Sequence, residues 1–352
     1  MEQYHSDITK LDVKPKIRES NFELLRIIAM FMVLILHADF QALGAPTRAD
    51  ILTSPIVSTL KVFFEMASIV AVNVFVLISG WFGIRPSVKG FCKFAFQCLF
   101  FSVGIYAVMN ALGKTDFSLR GIAGCFALIP GGSYWFITSY IGLYLFSPVL
   151  NAFINTVEKK TFVYFLAGFY TFQTIYALIG GGANYLMKGY SAMSFMALYL
   201  LASFIRKHID LSKFSRQTFS IGYIIITITM TLVWLAAKVF NLGVFDSRLL
   251  AYSNPIVVIS SLCLLLTFSK IRYKSSLVNK LAASSFAVYL LHCHPNLYAI
   301  YLDSVIWSSR SNLALVIGVV VIWYLLAILL DFIRTVLYRH IQQYFTKYRL
   351  TV

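Results

Sequence analysis

Residues 21–40, NFELLRIIAMFMVLILHADF, decide the fold. A bilayer core about 30 Å thick needs about 20 predominantly apolar residues per helical crossing, and this stretch has that length. It begins after some twenty polar residues and has no small-residue cleavage site, so it reads as a permanent first helix and not a removable leader. Ionisable side chains interrupt its apolar run, Glu23, Arg26 and His37 among them. A charge at the centre of a membrane helix costs about 2.5–3.5 kcal/mol on insertion scales, so each needs a reason. Eleven residues separate Arg26 from His37. At 100° per residue that is three full turns plus about 20°, which puts both on one face with a rise of roughly 16 Å between them.

The same kind of stretch recurs along the chain. Of 352 residues 59% are hydrophobic and only 12% charged, against about 25% charged in an ordinary soluble domain. Further spans are expected at 57–82, 91–113, 134–154, 161–180, 190–206, 218–240, 250–269, 277–300 and 311–336. The fold class is therefore all-α, a polytopic integral membrane protein of about ten transmembrane helices. The 31 Phe and 21 Tyr suit aromatic belts at two membrane interfaces. Domain organisation follows: a cytoplasmic tail over 1–20, a membrane domain over 21–336 and a second cytoplasmic tail over 337–352, with no loop long enough to fold alone.

The net charge of +16 becomes a topology signal, because Lys and Arg accumulate in short cytoplasmic loops. With ten spans, 21 of the 30 basic residues fall on the side of both termini, seven fall on the other, and Arg26 and Lys61 lie inside helices. That bias puts both termini in the cytoplasm of a multi-pass protein of the cell (inner or plasma) membrane. It also accounts for the basic charge without nucleic acid, since no basic patch with interleaved aromatics is left over. The five cysteines have no CxxC spacing and read as small buried hydrophobes.

The Arg26 and His37 pair suits a long anionic donor. Arginine holds phosphate by charge-assisted, often bidentate bonds, and a histidine can take a proton from an attacking hydroxyl. The plainer alternatives are that Arg26 reaches the interface or pairs with Glu23, and that His37 is a satisfied core residue. Glu65 follows Lys61 by four residues, as an ion-pair partner or as a carboxylate that orients His37. Gly80 would permit close helix approach, and Trp81 would sit at the membrane interface. Tyr134 and Trp135, after Pro130-Gly131-Gly132, are belt residues or a platform for a sugar face. Tyr289, His292 and His294 lie at a depth comparable to His37. His292 is a candidate pocket residue, but two histidines two apart on a helix point about 200° away from each other, and no metal site is expected of them. Asp331 is expected to neutralise Arg26 or Arg334.

The segment ELLRIIAMFMVLILHA (23–38) resembles the signature of acyltransferase family 3, the membrane-bound O-acyltransferases of cell-surface glycans. VFVLISGWFGI (74–84), SYWFITSYIGLYLFSPVLN (133–151), MALYLLASFIRKH (196–208) and SSFAVYLLHCH (284–294) are similar to family segments and fall in family order. The resemblance implies ten core helices and acyl-CoA, usually acetyl-CoA, as a co-substrate with no permanently bound cofactor. It implies a hydroxyl acceptor on a cell-surface polysaccharide or its lipid-linked precursor. It makes His37 catalytic with Arg26 paired to it, and it gives Ser79, Arg206 and Lys207 to the acyl-CoA site. Glu23 stands where the family commonly has Asp. Many relatives continue into an extracellular hydrolase-like domain; the expectation here is a stand-alone enzyme, or one working with a copy of itself or with a glycan-synthesis partner. The rival reading is a transporter or flippase of a glycan intermediate, which would commonly show two related halves and broken helices.

Overall fold

The computed structural model describes residues 18–127, 134–179, 187–242 and 246–347. Among them every regular element is helical. In chain order these are α1 (Ser20–Leu36), α2 (Arg48–Thr53), α3 (Pro55–Ser68), α4 (Ala71–Phe82), α5 (Val88–Ala111), α6 (Leu119–Ala127), α7 (Trp135–Thr156) and α8 (Lys159–Gln173). There follow α9 (Ala192–His208), α10 (Arg216–Val239), α11 (Asp246–Leu249), α12 (Pro255–Ser269), α13 (Ser276–Ala282), α14 (Ser285–His292), α15 (Pro295–Ser311) and α16 (Leu313–Lys347).

The starts are chemically marked. The side chains of Ser87, Ser191, Ser215 and Ser275 each accept a bond from an orphan N–H in the first turn of α5, α9, α10 and α13. Asn254 caps α12 with Pro255 at its first position, where a missing N–H costs nothing. Pro148 sits inside α7 and cannot bond the Tyr144 carbonyl four residues back; the Ser147 hydroxyl donates to that carbonyl instead, at 2.7 Å.

Among the described residues six helical stretches are long and apolar enough to cross a membrane: Ser20–Leu43, Pro55–Phe82, Val88–Ala111, Trp135–Thr156, Arg216–Val239 and Ala314–Tyr344. Their outward faces are apolar and exposed, at Leu145 and Phe146 on α7, Ile225 and Leu232 on α10, and Leu325 and Phe332 on α16. Water would not tolerate such faces on a monomer; lipid does.

Of the ten expected spans, 161–180, 190–206, 250–269 and 277–300 are not among these six, and three stretches differ in shape. The stretch 277–300 is not one helix but three: the chain breaks at residues 283–284 and again before Pro295, which disfavours helical geometry at His294, with φ −62° and ψ 133°. Within 57–82 the chain turns at Ile69–Val70 between α3 and α4. The last helix continues to Lys347, so most of the expected C-terminal tail is helical.

Helix α1 is the hub, packing against α3, α4, α12, α13 and α14. Gly80 permits one close helix approach: a Cβ there would lie 2.3 Å from the Tyr199 carbonyl oxygen, so α4 and α9 touch backbone to backbone. Trp81 is buried and packs against Phe22.

Candidate functional site

A cavity of about 590 Å³ runs along α1. Arg18, Glu23 and Arg26 line one end, Met30 and Val33 its middle, and His37 and Gln41 the other end. The eleven-residue interval thus does what its angle implies: the guanidinium of Arg26 and the imidazole of His37 border one space. Arg26 also makes the local pair, with a nitrogen 2.5 Å from Glu23 Oε1, yet 32% of its side chain stays accessible. Arg18 stands 4.0 Å from the other Glu23 oxygen and donates to the Asn279 carbonyl at 3.0 Å. Two guanidiniums therefore share one carboxylate at this end.

At the other end the helix changes type. Residues His37–Leu43 form a π-helical segment that Gly44 closes at φ +75°, a backbone conformation natural to glycine. His37 Nδ1 lies 3.0 Å from His292 Nε2, and His292 Nδ1 lies 2.6 Å from the Val288 carbonyl oxygen. A carbonyl only accepts, so His292 carries its proton on Nδ1, and its Nε2 is an acceptor. His37 then donates from Nδ1, and this assignment leaves Nε2 of His37 with a free lone pair. Behind the pair, Tyr301 packs its ring against His292 and donates to the Leu34 carbonyl at 2.7 Å. Tyr298 meets the His37 ring edge-on at 5.4 Å and bonds Gln41.

The walls are aromatic. Trp135 stacks on Tyr252 at 5.8 Å and lies 4.3 Å from Tyr190, and all three line the cavity with Phe75, Phe136 and Tyr140. Ser79 lines it too; its hydroxyl donates to the Phe75 carbonyl and lies 3.3 Å from that of Tyr140.

Not every candidate residue reaches this space. Arg206 bonds the Trp81 carbonyl and lies over the Trp81 and Phe82 rings, pinning the end of α4, while Lys207 donates to the Ile154 carbonyl. Neither lines the cavity. Tyr134 is buried, and its hydroxyl donates at 2.6 Å to the Leu290 carbonyl, which the end of α14 leaves without a helical donor. His292 lies behind His37, is fully buried and does not line the cavity. Glu65 is buried and does not line the cavity, and the Lys61 ammonium donates to the Leu43 and Gly44 carbonyls. His294 turns away toward the Ser102 carbonyl, at 3.1 Å. Pro130, Gly131 and Gly132 lie outside the described residues.

Arg18, Gln41, Tyr190, Tyr252, Cys293 and Tyr298 line the cavity without having stood out in the sequence. Arg18 registered only as a topology charge and Cys293 only as a small hydrophobe. Tyr190, Tyr252 and Tyr298 are far from α1 along the chain and carry no local signal.

The family model described as an acyltransferase domain matches residues 19–332, nearly the whole described chain and both ends of the cavity. The chain belongs to acyltransferase family 3. As a family member it is a membrane acyltransferase, and its apolar helices agree with that. No curated protein and no solved structure matches it.

Proposed function

We propose that the protein is a multi-pass O-acyltransferase of the cell membrane, with ten crossings and cytoplasmic termini, which moves an acetyl group from cytosolic acetyl-CoA to a hydroxyl of a cell-surface polysaccharide or its lipid-linked precursor. One observation carries this reading: two guanidiniums and an imidazole with a free Nε2 stand at opposite ends of one cavity. The phosphates of the donor rest against Arg18 and Arg26, and its pantetheine arm lies along Met30 and Val33 so that the thioester reaches His37. Arg206 and Lys207 are left out of this grip because they are engaged elsewhere.

His37 Nε2 takes the proton of the acceptor hydroxyl, and the oxygen attacks the acyl carbonyl. The carbon–sulfur bond breaks, and the leaving CoA thiolate recovers the proton from the imidazolium. The charge that develops on His37 is shared toward His292, whose Nε2 accepts the Nδ1 proton. Trp135, Tyr190 and Tyr252 present flat faces to the apolar side of a sugar ring, the arrangement expected of a mostly apolar pocket with a few placed polar groups.

His37→Ala is expected to lower acyl transfer by about 10²–10⁴-fold, the usual contribution of a positioned base, while the protein still inserts and elutes as a single species. O-acyl ester on the surface glycan, measured by mass spectrometry, is the readout; ester at the parental level in that variant would overturn the proposal.

A further inference from the structure

Among the described residues that line the cavity Cys293 is the one thiol, and the acyl transfer does not use it. It is the C-cap of α14, at φ −87° and ψ 4°, and that turn brings its Sγ to 3.3 Å from His292 Nε2 and 3.7 Å from His37 Nδ1. With the 3.0 Å between the two nitrogens, three potential ligand atoms form a closed triangle.

We propose that His37 Nδ1, His292 Nε2 and Cys293 Sγ form a site for a borderline-soft divalent transition metal of the zinc class, and that filling it switches off proton transfer at His37. The circle through the three atoms has a radius of about 1.9 Å. An ion slightly above its plane meets all three near the usual 2.0–2.1 Å for Zn–N and about 2.3 Å for Zn–S. One thiolate and two imidazoles are a donor set that favours Zn²⁺ over Mg²⁺ or Ca²⁺.

Two further observations point to an ion. His292 donates its other nitrogen to the Val288 carbonyl, the outer bond that fixes the tautomer of a metal-bound histidine. Without an ion the cluster is also short of acceptors: His292 Nε2 offers one lone pair, and both the His37 N–H and the Cys293 S–H lie against it. An ion resolves that conflict by taking one lone pair from each group. His37 and Cys293 both line the cavity, which gives an ion an entry path to the cluster.

Binding releases one proton, from the Cys293 thiol, and the neutral His37 ring keeps its own by shifting it from Nδ1 to Nε2. The nitrogen that served as base is then an N–H. This inhibitory consequence rests on the acyl transfer proposed above; the metal site itself does not.

The test uses the full chain in detergent or nanodiscs, stripped with a chelator and titrated with Co²⁺ and then Zn²⁺. A thiolate-to-Co²⁺ charge-transfer band in the near ultraviolet is expected, displaced by Zn²⁺, absent from Cys293→Ser and from His292→Ala, and retained in Cys98→Ala. Zn²⁺ should inhibit the parent reversibly, with the Cys293→Ser variant at least tenfold less sensitive. No band at saturating Co²⁺ in protein that elutes as a single species would overturn the site, as would an undiminished band in Cys293→Ser. Activity lost on chelation and regained with Zn²⁺ would overturn the inhibitory role. A band without any acyl transfer would keep the metal site and sink the reaction, and transfer without a band would do the reverse.

Discussion

Two arginine–carboxylate pairs sit on helices at the same spacing of three residues, and they do opposite work. In α16, Arg334 Nε lies 2.6 Å from Asp331 Oδ1, and only 5% of the Arg334 side chain is accessible. Asp331 also accepts from Ser284 at 2.8 Å and from Gln97 at 3.0 Å, so its lone pairs are consumed inside the protein. In α1, Glu23 is buried between Arg18 and Arg26, while Arg26 keeps a third of its surface on the cavity. One pair is closed and joins α5, α14 and α16; the other is open, and its guanidinium has bonds to spare. Residue types and spacing do not separate them. What separates them is how many donors surround the carboxylate.

The contrast yields graded outcomes. Asp331→Ala leaves a buried guanidinium unpaired and should cost about 3–5 kcal/mol, read as a large drop in thermal stability or a loss of folded protein. Full stability in that variant would erase the distinction. Arg26→Ala should fold normally and raise KM for acetyl-CoA at least about tenfold, the loss of one charged hydrogen bond worth roughly 1.5–3 kcal/mol; Lys at that position restores part of it, since the charge remains but the planar fork does not. An Arg26→Ala enzyme with parental KM would put the donor grip elsewhere. Glu23→Gln is the mildest: both guanidiniums stay, and KM should move by no more than about fivefold, whereas a collapse in stability would make this pair as structural as the other.

Much of this was legible beforehand where the information is local. The apolar spans and the shared face of Arg26 and His37 are periodicities within single helices. The pairing of Asp331 with Arg334 follows from i, i+3 spacing. The break before Pro295 was also legible, in His294-Pro295-Asn296, but continuous hydropathy outweighs one proline when a span is drawn by length. What escaped is non-local. His292 and His37 are 255 residues apart in the chain, and nothing in either neighbourhood says that one ring backs the other. The family resemblance gives Arg206 and Lys207 to the acyl-CoA site; in the fold, the carbonyls at the ends of α4 and α7 reach them first.

The π-helical segment that begins at His37 divides α1 into parts with different tolerances. A π turn is geometrically what one surplus residue does to an α-helix. Downstream of His37 the chain can therefore shed a residue by relaxing to ordinary α geometry and keep its register. Upstream there is no such slack: one residue added or removed between Arg26 and His37 swings the two ends about 100° apart. Those eleven positions act as a ruler, and length variation among related chains should collect on the far side of the imidazole.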